Sequence, residues 1–233
     1  MTNKIRKQIL PLLGIACFAL LGFMMNRTAK SQQINTPDPQ EEVKAVRRGG
    51  LREAARAKGH YASTVRTSGW GKYDIDSLTK NSVAVIVGVP LTSTSQLSNN
   101  NELITTQYQV KTREVLKGDV IEGQLVKVNV LGGRVTFEDG TSAEIKAIDM
   151  EPMEQGNAYI LFLKDEKDNP GVFGLTGGGQ GLFGLSNNDS LIQPQGDRTD
   201  VVQKHKNQRI EDFVEQIKIA VSKYPRVSSC CNN

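Results

Sequence analysis

At 233 residues the chain has room for one ordinary domain with a sizeable core and not for a second large one. Hydrophobic residues at 38 %, aromatics at 6 % and 22 glycines suit a turn-rich β domain flanked by polar segments. The formal charge of +4 suggests a polyanion partner, but residues 1–31 carry five basic residues and no acid; beyond them 24 basic residues face 25 acidic ones, which removes the case for a nucleic-acid partner.

Lys4, Arg6 and Lys7 precede an apolar run from Ile9 to Met25 that ends at Asn26-Arg27, the order of a charged region and a hydrophobic region in an export signal. As a helix the run spans about 26 Å, short of the ~30 Å apolar core of a bilayer yet longer than an ordinary signal core. Residues 1–31 are therefore expected to form a hydrophobic helix that acts either as a membrane anchor, through residues 9–25, or as a signal peptide cut after Ser31, where Ala29 and Ser31 supply the small residues a signal peptidase reads. Gly14-Ile15-Ala16-Cys17 has only part of a lipidation pattern, because Gly14 stands where Leu is expected and the apolar run continues past Cys17. Cys230 and Cys231 are adjacent, which strains a mutual disulfide, and residues 226–233 read as a disordered tail.

Residues 32–79 read as a polar, partly helical linker, with helix formers at Leu51–Ala57 interrupted in front by Gly49-Gly50. The β domain is expected over 80–195. Val83–Val89, apolar at every position and closed by Pro90, predicts a central strand buried on both faces. Ile104–Thr112 alternates, and its phase flips at Glu114-Val115, predicting a half-buried strand that ends in a bulge or turn. Gln124–Leu131 carries Val126, Val128 and Val130 on one face. Arg134–Glu138 and Thr141–Ile145 flank Asp139-Gly140, a hairpin signal in which both turn positions take positive φ. A second doubly apolar strand follows at Ala158–Leu163, then short strands at Val172–Leu175 and Leu182–Leu185. Within 196–225, Ile210, Phe213, Val214, Ile217, Ala220, Val221 and Tyr224 recur at helical spacing, predicting an amphipathic helix packed on the sheet. Six to eight short antiparallel strands followed by one helix predict a mainly β fold, a small antiparallel barrel or sandwich.

The series Val83–Val89, Tyr108-Gln109-Val110 leading to Glu114–Gly118, Val126-Lys127-Val128 before Gly132-Gly133, Gly156 before Tyr159–Leu163, and Gly178–Phe183 resembles a group of exported bacterial proteins without assigned function. More distantly it is similar to the OB-like barrels of netrin and metalloproteinase-inhibitor domains. The resemblance covers about residues 80–185 and implies an OB-like fold. The chain lacks the disulfide cysteines of those domains and their N-terminal inhibitory cysteine, so it does not imply protease inhibition.

Chemistry-bearing motifs are scarce. Gly179–Gly184 spells the dinucleotide fingerprint, but Leu185–Asp189 offers no helix to receive a pyrophosphate, and a glycine-rich strand connection is the better reading. His60 and His205 are the two histidines, placed respectively in the linker and in a lysine-rich stretch, where His205 reads as solvated; neither supports a zinc site or a serine triad. Asp165–Asn169 lacks calcium-loop register. No catalytic residue, metal ligand or cofactor is expected. The residues expected to bind a ligand are Gly178, Gln180, Gly181 and Phe183, with Trp70 as an aromatic platform. The functional expectation is an extracytoplasmic, envelope-associated, non-enzymatic binding module for a protein, peptide or glycan, with membrane contact through the N-terminal segment if it is not cleaved. The alternatives are a hydrolase using Glu138, Asp139 and Glu144, and a structural spacer of an envelope assembly.

Overall fold

In the computed structural model, residues 39–65, 71–186, 190–196 and 204–224 are described, and all belong to one compact unit. The N-terminal hydrophobic segment, Trp70 and the cysteine-bearing tail lie outside the described residues. The fold is mainly β, with ten strands and three α-helices among the described residues.

The chain enters through α1 (Pro39–Lys58), which changes direction at Gly50, where φ is 73°. Side-chain crowding explains the glycine: a Cβ there would lie 2.5 Å from the Asn101 carbonyl oxygen, which accepts the Leu51 N–H at 2.7 Å. Past the kink, Leu51, Ala54 and Ala55 are buried. Leu51 and Ala55 pack with Ile104, Phe137, Ala143 and Ile145, and the Arg52 guanidinium lies 4.8 Å over the Phe137 ring. The segment expected as a linker thus supplies a packed helix and also β1 (His60–Val65), the edge of a three-stranded sheet. In that sheet β1 runs parallel to β6 (Ser142–Ala147), which pairs antiparallel with β5 (Gly133–Thr136). The β5–β6 turn departs from expectation. The Phe137 N–H donates to the Thr141 carbonyl and Gly140 alone takes positive φ, at 81°, so Glu138, Asp139 and Gly140 form a three-residue loop with a glycine bulge.

A seven-stranded sheet holds the rest, in the order β10-β9-β7-β2-β3-β4-β8. Its strands are β2 (Ala84–Leu97), β3 (Ile104–Lys117), β4 (Leu125–Leu131), β7 (Ala158–Asp165), β8 (Val172–Leu175), β9 (Leu182–Ser186) and β10 (Leu191–Pro194). Because β8 also pairs with β7, strands β7-β2-β3-β4-β8 close a ring. Pairing is not wholly antiparallel: β4 meets β8, and β1 meets β6, in parallel.

β2 is central and buried on both faces, as its sequence predicts. Ala84 and Ile86 point into the ring with Val110, Val128, Leu161 and Leu182, whereas Val85 and Val87 face a second core with Ile160, Phe162 and Phe183. β2 does not stop at Pro90. It runs on to Leu97 through a register shift between Pro90 and Thr92, which places the proline, lacking an N–H, at an irregular position in the ladder. Likewise β3 does not end at Glu114-Val115. Register shifts opposite Val85/Ile86 and Val87/Gly88 reset its phase, so Val115 packs against the ring core and Leu116 joins the outer core.

Helices cover that outer core. α2 (Ile75–Asn81) starts at a capping box in which the Ser77 N–H donates to Asp74 and the Asp74 N–H donates to Ser77 Oγ, both at 2.8 Å. At its other end the buried Lys117 ammonium donates to the Thr79 carbonyl at 2.6 Å, a cation placed at the negative end of the helix. α3 (Ile210–Lys223) buries Phe213, Ile217 and Ala220 on the same core, with Ile210, Val214 and Val221 at its margins. No helix among the described residues is long and apolar enough to cross a membrane.

Phe162 is wholly buried between these layers, edge-on to Phe183 at 5.9 Å. Phe162→Ala is expected to lower unfolding free energy by roughly 3–5 kcal/mol, whereas Ile121→Ala, at a residue 71 % exposed, should change it by no more than about 0.5 kcal/mol. Urea denaturation of the two variants checks the contrast.

Candidate functional site

The glycine-rich connection forms a 3-10 turn, Gly178–Gly181, between β8 and β9. Gly177 and Gly178 take left-handed backbone at φ 68° and 61°, and a Cβ on Gly179 would lie 2.6 Å from the Asp149 carbonyl oxygen. β9 follows directly, so the glycines open onto a strand and not onto the helix that a dinucleotide fingerprint requires. Gln180 is buried, and both ends of its amide are engaged: Oε1 accepts the Tyr73 N–H at 3.1 Å and Nε2 donates to the Gly71 carbonyl at 3.0 Å. It ties the approach to α2 onto the turn. Gly181 and Phe183 are buried as well, Phe183 against Phe213 at 4.7 Å between ring centroids. Of the four expected binding residues in this connection, Gly178 lines a cleft formed by described residues, and Gln180, Gly181 and Phe183 are buried. Trp70 lies outside the described residues.

That cleft, about 240 Å³, opens where β4, β7 and β8 meet. Its floor includes Val130, Met150 and Leu175, and its rim carries Asn129, Lys164 and Glu166. The polar rim is organised across strands. Gln107 Nε2 donates to Asn129 Oδ1 at 3.1 Å, and Asn129 Nδ2 donates to Glu166 Oε2 at 2.8 Å. Lys164 is paired in register with Gly174, which has no side chain to occupy the space the lysine and Glu166 fill. Burial pushes the Lys164 ammonium below its ordinary pKa, against the opposing pull of Glu166. An apolar floor under a few convergent polar groups, one of them electrostatically perturbed, is the general form of a small binding site. The strand pattern alone hides it, because Asn129 and Lys164 occupy outward positions that read as ordinary solvated ones.

His205 corrects its expectation. It is 4 % exposed, its ring 5.2 Å from Phe213 and 6.5 Å from Phe183, with Nδ1 2.9 Å from Gln208 Oε1. The flanking Lys204 and Lys206 stay exposed, and they are what makes the stretch read as surface. His60 is exposed on β1, its Nδ1 2.8 Å from Ser142 Oγ.

The acids assigned to a hydrolase do not converge. Glu138 and Asp139 are exposed on the hairpin loop, and Glu144 stands in β6 opposite Arg134. Hydrogen bonds from Thr141 and then Arg56 hold the Asp139 carboxyl down at about 2, so it stays ionised, and Asp139 in turn raises the Arg56 pKa. Among the described residues no three His, Cys, Asp or Glu side chains gather as metal ligands. Compared with known protein families and with curated proteins, the chain matches none.

Two outcomes follow. Gln180→Leu should cost roughly 1–3 kcal/mol by stranding the Tyr73 N–H and Gly71 carbonyl, with faster amide exchange at Tyr73. Asp139, whose folded pKa lies below its ordinary 3.8, stabilises the hairpin above that value; the contribution is lost as pH falls from about 4 through 2, and Asp139→Asn should remove this acid-dependent loosening in hydrogen exchange of the β5–β6 loop.

Proposed function

We propose that this protein is an exported, envelope-associated, non-enzymatic interaction module built on an OB-like barrel, the ring of β7, β2, β3, β4 and β8, that grips a peptide segment at the end of the ring. The N-terminal basic residues and the apolar run Ile9–Met25 support export, either as an anchor or as a cleaved signal. The observation that carries the binding reading is the cleft floored by Val130, Met150 and Leu175 and rimmed by Asn129, Lys164 and Glu166. Its size suits one apolar side chain, with the rim left to hydrogen-bond the backbone on either side, and the apolar floor favours a peptide over a glycan. The near balance of charge beyond residue 31 leaves no long-range field for a polyanion.

A photo-crosslinking residue in place of Lys164 is expected to capture a defined partner in intact cells, while one in place of the exposed Thr94 does not. Gly174→Leu, which fills the space beneath Lys164 and Glu166, should abolish capture from a residue placed at Gly178. Removal of residues 1–31 should leave the chain in the cytoplasm and uncaptured. Capture unaffected by Gly174→Leu overturns the assignment of the cleft, and export without residues 1–31 overturns the assignment of the segment.

A further inference from the structure

The outer edge of a sheet presents unpaired N–H and C=O groups, and folded proteins cover or blunt them. β10, at one end of the seven-stranded sheet, is covered: the Ile192 N–H donates to the Gln208 carbonyl at 2.8 Å, and the Ile192 carbonyl accepts the Asn207 N–H at 3.1 Å. β1, at the edge of the three-stranded sheet, differs. Its parallel pairing with β6 runs without a register shift from His60 opposite Ser142 to Val65 opposite Ala147. The Gly59 carbonyl accepts the Ser142 N–H at 3.2 Å and the Val65 carbonyl accepts the Ile148 N–H at 3.1 Å. These bonds fix the phase: Tyr61, Ser63 and Val65 turn their N–H and C=O groups to β6, and His60, Ala62 and Thr64 turn theirs away from it. Among the described residues no backbone hydrogen bond reaches those outward groups from the other side, and His60, Ala62 and Thr64 are exposed. Nothing blunts the edge either. β1 carries no Pro, Lys, Arg, Asp or Glu, its ladder has no bulge, and Gly59, at φ 77°, separates it from the basic last turn of α1.

We propose that β1 pairs antiparallel with β1 of a second copy of this chain across a two-fold axis at Ala62, joining the two β5-β6-β1 sheets into one. Main-chain hydrogen bonds fit any strand to an edge, so the side chains choose the occupant. In this register Ala62 faces Ala62 of the other copy, and His60 and Thr64 face each other. Each of these pairs exchanges N–H···O=C bonds in both directions, so every outward group of β1 is satisfied. Moving the axis to Tyr61 or Ser63 instead leaves one outward residue opposite a residue beyond the strand. The side chains are self-complementary. On the exposed face the small Ala62 meets itself at the axis. On the other face Tyr61 stands opposite Ser63, a large residue against a small one, at the closer, non-hydrogen-bonded spacing. Tyr61 and Val65 already pack against the apolar cluster that holds Leu51 and Ala55 of α1, so the pairing extends that cluster across the axis. With no Lys, Arg, Asp or Glu in β1, the register creates no pair of like charges. β1 contributes no residue to the ring-end cleft, and the pairing stands independently of it.

The test is light scattering and sedimentation of the full-length protein in nonionic detergent, over a range of protein concentrations. A dimer is expected for the unaltered chain. Ala62→Pro removes an N–H that β6 does not use, and Ala62→Lys sets like charges face to face at the axis. Each should weaken dimerisation about tenfold or more while leaving the far-UV circular dichroism unchanged. In a chain carrying Cys17→Ser, Cys230→Ser and Cys231→Ser, Ala62→Cys should form an intermolecular disulfide on mild oxidation, because facing Cα atoms in such a pair lie about 5.5 Å apart; Thr94→Cys should not. A photo-crosslinking residue in place of Thr64 should capture a second copy. A monomer at every concentration, a dimer that both substitutions of Ala62 leave intact, or capture of a different protein in place of a second copy overturns the proposal.

Discussion

β2 and β7 are buried on both faces, and this condition sets the arrangement of everything around them. A strand apolar at every position needs two cores. Here one is the interior of the closed ring and the other lies beneath α2 and α3, with Ile86 and Leu161 serving the first and Val85 and Phe162 the second. The ring alone would leave the second face wet. α3 therefore brings Phe213, Ile217 and Ala220 to it, and α2 brings Ile75 and Leu78. The Lys117 ammonium on the Thr79 carbonyl fixes α2 to the end of β3, so the cover is tied to the ring through a buried polar contact.

The same two-core arrangement accounts for the irregularities of the sheet. β2 and β3 are fourteen residues long, and one end of the pair lies in the ring while the other, at Leu97 and Ile104, packs with the three-stranded sheet and α1. A regular ladder of that length would carry its side chains on with unchanged phase. The register shifts near Val85, Val87 and Pro90 instead let successive stretches serve different cores. The glycine turn works on a similar principle. Gly179 and Gly181 pass close to carbonyl groups, and the Gln180 amide substitutes for backbone pairing at Tyr73 and Gly71, so most of what reads as a binding loop is the joint that seats α2.

Clefts arise at seams of this construction. The ring-end cleft lies where the short β8 bridges β4 and β7, and Gly174 leaves room there for Lys164 and Glu166. A further cleft, lined by Ile75 on α2, Ile219 on α3 and His205, lies over the outer core, and the rings of Phe183 and Phe213 pack on His205 there. In each case a polar group stands beside apolar packing that fixes its position.

Periodicity by itself determined the mainly β class, the doubly buried strands at Val83–Val89 and Ala158–Leu163, and the apolar stripe of α3, because those signals report which faces shed water, a property local to each segment. It also located the interruption at Gly49-Gly50. The closure of the ring by β8, the parallel pairings and the recruitment of α1 and β1 to a second sheet were decided only in three dimensions. These depend on contacts such as His60 with Ser142 that are remote in sequence and leave no periodic trace. The candidate sites divide in the same way. Gly178 stands at a cleft, but the burial of Gln180 and His205 was settled by partners far along the chain, and the chemistry of a side chain depends on those partners as much as on its own identity.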